Sequence, residues 1–125
     1  MAYLLIVDDD LDGRDALCRF LEKSGHQVRC VSNGREALSS VLERLPDLAI
    51  LDLFMPEMDG ASLLEIIRSY LRLQSMPVVV LTGLPESPMV ERARHLKVNQ
   101  ILVKSKATFD EILAAVNQEL HRVPK

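Results

Sequence analysis

The chain lacks most of the residues on which nucleic-acid binding and membrane insertion depend. Tryptophan is absent and aromatic residues make up 4% of the sequence, so platforms for stacked bases are not expected. A net charge of −3 gives no basic surface for a phosphate backbone. No apolar run approaches the length of a membrane span, and no basic segment precedes the first apolar run. We therefore expect a cytoplasmic protein that contacts neither nucleic acid nor membrane.

Cysteine is also scarce. Cys18 and Cys30 lack the close spacing of a metal or redox motif. A disulfide between them is one alternative. We favour two separate small buried thiols, because thiols stay reduced in the cytoplasm.

The residues that are present describe an ordinary globular protein. Hydrophobic residues make up 48% of the chain and charged residues 26%. A chain of this size buries roughly two thirds of its unfolded surface, which is enough for a sizeable core. We predict one domain over residues 1–125, with no output domain in this chain.

Short apolar runs alternate with amphipathic helical patterns along the whole chain. The predicted strands are 3–7, 27–31, 48–51, 77–81 and 101–103. Helix signals lie between the strands. Gly25 ends the first helix, Asn33 caps the second, and Ser87 with Pro88 begins the fourth. The third helix carries Leu63, Leu64, Ile67 and Leu71 on one stripe, and Thr108 to Glu111 form a capping box for the last. This alternation predicts a doubly wound α/β fold, with a parallel sheet covered by helices on both faces.

Polar residues follow four of these predicted strands. Asp8 and Asp9 follow the first strand, Asp52 the third, Thr82 the fourth and Lys104 the fifth. The carboxyl ends of parallel strands share one edge, where such folds bind ligands. Three crowded carboxylates need a cation to stay ionised, and oxygen ligands alone indicate Mg²⁺ or Mn²⁺. A carboxylate can also attack a phosphoryl group, whose oxygens a hydroxyl and a lysine can then bind.

The aspartate run at 8–15 permits two other interpretations. Counted as a calcium loop from Asp8, its twelfth position is Arg19, where a bidentate glutamate is needed. The segment Asp10-Leu-Asp-Gly also resembles the nucleophile motif of haloacid-dehalogenase-type phosphatases, which form an aspartyl phosphate as well. That motif wants threonine or valine where Arg14 stands, and it leaves Asp52 unexplained. We assign Asp10, Asp12 and Asp15 to the start of the first helix, with Asp10 as its cap.

Four stretches together carry a family resemblance: LLIVDDD, LAILDLFMPEMDG, VVVLTG and ILVKS. In this order and spacing, they make essentially the whole chain similar to the receiver domains of two-component response regulators. The resemblance implies a flavodoxin-like sheet of five parallel strands in the order 2-1-3-4-5. It also implies a signalling switch that catalyses only its own phosphorylation and dephosphorylation.

The resemblance assigns a role to each residue at the sheet edge. Asp52 matches the aspartate that accepts a phosphoryl group from a sensor histidine kinase or a histidine phosphotransfer protein. Asp8 and Asp9 match the acidic pair that holds Mg²⁺ with Asp52 and the backbone carbonyl of Phe54, Asp9 being the more direct ligand. Thr82 and Lys104 match the hydroxyl and the ammonium that bind the phosphoryl group. Phosphorylation is then expected to change the face formed by the fourth helix, fifth strand and last helix, which would contact an unknown downstream protein or form a homodimer.

The chain also departs from the family pattern at four positions. Ile101 stands where the family often has a switching aromatic residue, so any switch must act through Thr82 and the loop after it. Ser105 replaces the proline that usually follows the lysine, which favours a trans bond or a rearranged loop. Phe54 and Leu84 are apolar where the family's side chains flank the approach of hydrolytic water. The alternative function is therefore a pseudo-receiver, an interaction module that does not depend on phosphorylation.

Overall fold

The structure is a computed structural model that describes residues 2–122. Its elements are β1 (Tyr3–Val7), α1 (Leu11–Lys23), β2 (Gln27–Val31), α2 (Gly34–Glu43), β3 (Leu48–Leu51), α3 (Gly60–Ser69), a 3-10 helix (Leu71–Leu73), β4 (Val78–Thr82), α4 (Pro88–Arg94), β5 (Gln100–Val103) and α5 (Phe109–Leu120). The strands form one parallel sheet in the order β2-β1-β3-β4-β5, which confirms the predicted topology. Of the short tail that the sequence predicts at 122–125, residues 123–125 lie outside the described residues. Within 2–122, no helix combines the length and the apolar character that a bilayer crossing needs.

The three central strands are buried on both faces, because successive residues point to opposite sides of the sheet and helices cover both sides. In β1, Leu5 and Val7 belong to the core beneath α2, α3 and α4, whereas Leu4 and Ile6 belong to the core beneath α1 and α5. All five β1 residues are consequently buried, which is why the run contains no polar residue.

Three of the four predicted helix caps form through side chains. Asn33 accepts a hydrogen bond from the backbone N–H of Glu36, and Ser87 accepts one from Met89. Thr108 and Glu111 form the predicted capping box at α5. Asp10 occupies the N-cap position of α1, but its side chain makes no capping hydrogen bond. The sequence therefore predicted where α1 begins but not how it is capped.

The placement of Leu71 on the apolar stripe of α3 is wrong. The helix ends at Ser69, and the chain continues through the extended Tyr70 into the 3-10 helix. That turn places Leu73 in the core and leaves Leu71 86% exposed. The helical period identified the apolar face of α3 correctly but extended that face beyond Ser69, where the helix ends.

The prediction of two separate thiols is also wrong. Cys18 of α1 and Cys30 of β2 are joined by a disulfide, with their Cα atoms 6.8 Å apart. The chain turns back on itself at Gly25, which has a φ of 98° that favours glycine, so α1 packs directly against β2. A separation of twelve residues in sequence does not reveal this proximity.

Candidate functional site

The sheet itself positions the first two acidic groups. Asp52 directly follows β3, and its N–H donates to the carbonyl of Val7 over 2.9 Å. Asp8 directly follows β1, and its N–H donates to the carbonyl of Val31 over 3.2 Å. Each residue thus continues a strand ladder by one hydrogen bond, so its side chain is fixed at the carboxyl edge of the sheet.

The three predicted acidic residues come together at this edge. One carboxylate oxygen each from Asp8, Asp9 and Asp52 lies within 4.8 Å of the others, the only such cluster of potential metal ligands in residues 2–122. Asp8 and Asp52 are each 5% exposed, whereas Asp9 is open to solvent. These oxygens could hold a hard divalent cation, because carboxylates are the ligands that such ions prefer.

Burial dominates the electrostatics of Asp52. Removal from water raises the pKa of Asp52 from 3.8 to about 6, and the charges of Asp8 and Asp9 act in the same direction. The ammonium of Lys104 and the N–H of Phe54, 3.3 Å from Oδ1, oppose this increase. The site therefore holds more negative charge than its fixed cations neutralise.

Lys104 lies over the two buried carboxylates. Its Nζ is 2.8 Å from Asp8 Oδ2 and 3.6 Å from Asp52 Oδ2. Burial acts to lower the pKa of Lys104, but the hydrogen bond to Asp8 and the neighbouring carboxylates outweigh it, so the pKa is raised and the ammonium stays charged. The backbone N–H of Lys104 donates to the carbonyl of Thr82 over 2.7 Å, which joins the fourth and fifth strand ends.

Thr82 is fully buried at the end of β4. Its Oγ1 accepts a hydrogen bond of 3.1 Å from the N–H of Leu84, a residue that is 57% exposed. Ile101 is half-buried and packs against the core beneath α2, α3 and α4. The peptide between Lys104 and Ser105 is trans, as expected without proline, since residues 2–122 contain no cis bond.

The loop after Asp52 closes tightly at Gly60. The N–H of Gly60 donates to the carbonyl of Leu53, and a Cβ on Gly60 would lie 2.5 Å from the carbonyl oxygen of Asp52. Only glycine permits α3 to begin so close to the acidic cluster. The carbonyl of Phe54 as a metal ligand stays a prediction.

The sequence interpretation gave no role at the site to Arg14. Its Nη1 donates to the backbone carbonyl of Asp8 over 3.2 Å, and its Nε lies 3.6 Å from Asp15. The side chain is 12% exposed, so a buried cation supports the turn that carries the acidic pair. A lone arginine within the aspartate run was the available signal.

Comparison with known proteins identifies the family. A family model of the response regulator receiver domain matches residues 4–117. The chain belongs to this family. The receiver domain accounts for the five-stranded fold and for the polar residues at one edge of the sheet.

Two curated relatives are longer proteins. The transcriptional regulatory protein GltR of Pseudomonas aeruginosa is 44% identical over 80 residues, which cover 64% of this chain and 33% of GltR. The protein-glutamate methylesterase/protein-glutamine glutaminase of Archaeoglobus fulgidus is 37% identical over 123 residues, which cover 95% of this chain and 34% of that protein. The chain thus spans about a third of the length of each.

A solved structure agrees with the family assignment. The receiver domain of a signal transduction histidine kinase from Syntrophus aciditrophicus superposes with a TM-score of 0.88 at 31% identity, over 99% of this chain and 96% of that one. The receiver fold of two-component signalling is therefore common to both chains.

Proposed function

We propose that this receiver domain is a phosphoacceptor switch in which Asp52 takes a phosphoryl group from a phosphohistidine. The donor is a sensor histidine kinase or a histidine phosphotransfer protein. The observation that carries the proposal is the meeting of three carboxylates and Lys104 at the carboxyl edge of the sheet. A cytoplasmic location and a homodimer formed on phosphorylation remain predictions.

The donor set fits Mg²⁺ or Mn²⁺. Asp8, Asp9 and Asp52 offer only oxygen ligands, to which we add the backbone carbonyl of Phe54. Lys104 is the cation seen against them, so two buried carboxylates and one exposed carboxylate keep an excess of negative charge. When bound, the ion supplies charge neutralisation for the carboxylates and for the incoming phosphoryl oxygens.

Asp52 is suited to nucleophilic attack. With a pKa of about 6, its carboxylate is mostly ionised at neutral pH. One carboxylate oxygen attacks phosphorus, the bond from phosphorus to the imidazole nitrogen breaks, and its electron pair stays on that nitrogen. The released imidazole nitrogen takes a proton from solvent, so the products are an aspartyl phosphate and a neutral histidine on the donor.

Lys104 and Thr82 would then bind the phosphoryl group. The lysine already spans Asp8 and Asp52, so a phosphoryl oxygen on Asp52 would lie within its reach. Thr82 Oγ1 accepts its hydrogen bond from Leu84, which leaves the hydroxyl hydrogen free to donate to a second oxygen. Movement of Thr82 would pull on the loop before α4 and change the face formed by α4, β5 and α5, the proposed contact for a downstream protein.

The test is phosphorylation by a small donor. Incubation with acetyl phosphate and Mg²⁺ should add one phosphoryl group to the wild-type chain, measured by intact mass spectrometry, and none to Asp52→Asn. Asp12→Asn is a matched control because Asp12 is an exposed carboxylate in the first turn of α1. Stoichiometric labelling of Asp52→Asn would contradict the proposal.

A pseudo-receiver is the second candidate, favoured by Ile101 in place of an aromatic switch residue. Titration with Mg²⁺ separates the two functions. Calorimetry is the suitable readout, because the chain has no tryptophan whose fluorescence could report binding. Binding that is lost in Asp9→Asn supports the phosphoacceptor. An absence of binding supports the pseudo-receiver. Turnover of a phosphomonoester would instead support an aspartyl-phosphate phosphatase.

A further inference from the structure

Helix α4 has little apolar attachment to the rest of the domain. Of its seven residues, only Val90 and Ala93 are buried, and Met89 packs partly against the same core. Small side chains contribute little hydrophobic free energy, since stabilisation scales with the apolar area removed from water. We expect polar contacts to add to this apolar attachment in fixing where α4 lies.

The main polar contact of α4 is made by Arg92 with α3. Its Nε and Nη2 donate to the carboxylate of Glu65, the Nε over 2.6 Å. Nη2 also lies 3.3 Å from Ser62 Oγ, and Nη1 lies 3.9 Å from Asp59 Oδ1. One guanidinium thus faces three successive polar groups along one side of α3.

These contacts reach the loop that follows Asp52. Asp59 is the last residue of that loop and the N-cap of α3, where it accepts hydrogen bonds from the N–H and the hydroxyl of Ser62. The next residue, Gly60, is bonded to Leu53, the neighbour of Asp52. A short chain of contacts therefore leads from the acidic cluster to Arg92.

A second arginine attaches the turn that follows α4. Arg68, near the end of α3, donates from Nε to the carbonyl of Leu96 over 2.9 Å and from Nη2 to that of Lys97 over 3.1 Å. Its Nη1 also donates to carbonyls around the 3-10 helix, the shortest being that of Met76 at 2.8 Å. The turn after α4 is thus attached through several hydrogen bonds, whereas Arg92 makes the polar contacts of α4 itself with α3.

We propose that Arg92 is a positioning residue that couples α4 to the loop after Asp52, through Asp59 and Glu65. The inference rests on the proposed function, because a change at Asp52 is what the coupling would transmit. The coupling through Arg92 gives a second route from Asp52 to α4, besides the one through Thr82. This second route needs no aromatic residue at position 101, where the chain has isoleucine.

Hydrogen exchange followed by mass spectrometry tests the coupling. Arg92→Gln is compared with Arg94→Gln, a matched control because Arg94 is another exposed arginine of α4 and pairs with Glu91 of the same helix. Without phosphodonor, peptides covering residues 88–96 should exchange about threefold faster in Arg92→Gln than in the wild type and at an unchanged rate in Arg94→Gln. Glu65→Gln should have the effect of Arg92→Gln, and the double variant should add nothing.

A second arm uses acetyl phosphate and Mg²⁺. The wild type and Arg94→Gln should show a changed exchange rate in α4, and Arg92→Gln should lose at least half of that change while its Asp52 is still labelled. Full retention of the change in Arg92→Gln, or an equal loss in Arg94→Gln, would overturn the inference. If the wild type is not labelled at all, the proposed function fails. The exchange rates measured without phosphodonor still show whether Arg92 attaches α4 to α3.

Discussion

Replacement of Asp52 by asparagine should make the folded chain more stable at neutral pH when no divalent cation is present. Folding places Asp52 among Asp8, Asp9 and apolar side chains, and burial raises its pKa from 3.8 to about 6. An acid whose pKa is higher in the folded state binds protons more tightly there than in the unfolded chain. Its ionisation therefore opposes folding.

The size and the pH range of this effect follow from the two pKa values. The gap between 3.8 and about 6, at about 1.36 kcal/mol for each pH unit, gives roughly 3 kcal/mol. Below about pH 3 the group is protonated in both states and costs nothing. The cost grows from about pH 3 to pH 6 and is fully present above the folded-state pKa, so the wild type loses stability as pH rises through this range.

Urea unfolding in EDTA at pH 4, 5, 6 and 7 measures this contribution. The free energy of unfolding of Asp52→Asn should exceed that of the wild type by less than about 1 kcal/mol at pH 4 and by roughly 3 kcal/mol at pH 7. Mg²⁺ should narrow the difference by stabilising the wild type. Asp12→Asn, at the exposed start of α1, should instead lose about 0.3–1 kcal/mol. A difference between Asp52→Asn and the wild type that does not change from pH 4 to pH 7 would refute the reasoning.

Three further changes test other parts of the molecule. Gly60→Ala should weaken Mg²⁺ binding by roughly tenfold in calorimetry, because the new Cβ would lie 2.5 Å from the carbonyl oxygen of Asp52. Gly83→Ala should leave Mg²⁺ binding unchanged, because a Cβ on Gly83 would have no atom within 4 Å. Phe54→Asn should shorten the lifetime of the aspartyl phosphate, followed by loss of label, because a polar side chain admits water; an equal or longer lifetime contradicts this. Cys30→Ser should lower the free energy of unfolding by roughly 3 kcal/mol in non-reducing buffer and by much less with reductant present; equal losses would show that the disulfide does not account for them.

The residues at the sheet edge could be predicted from sequence, because each is marked by the apolar run directly before it in the chain. An apolar run that stops at a charged residue marks both a buried strand and its end. Asp8, Asp52 and Lys104 each stand at such a stop, and parallel topology brings the stops together. The predicted cluster then follows without any knowledge of side-chain contacts.

Contacts between helices follow no such rule. Arg92 and Glu65 are 27 residues apart and meet only because α3 and α4 are neighbours on the same face. Cys18 and Cys30 meet for the same reason, since α1 lies across β2. For Leu71 the sequence predicted a contact that does not form. The helical period places Leu71 on the buried face, but the residue lies beyond the end of α3 and is exposed.

The two adjacent aspartates after β1 have different environments. Asp8 is buried and bonded to Lys104 and to the N–H of Asp10. Asp9 is exposed, although one of its carboxylate oxygens lies within 4.8 Å of an oxygen of Asp8 and of Asp52. Because Lys104 already occupies one oxygen of Asp8, the carboxylate most open to a cation is that of Asp9. A divalent cation held by Asp8, Asp9 and Asp52 would therefore share Asp8 with Lys104, so we expect metal binding to weaken the 2.8 Å contact between the lysine and Asp8.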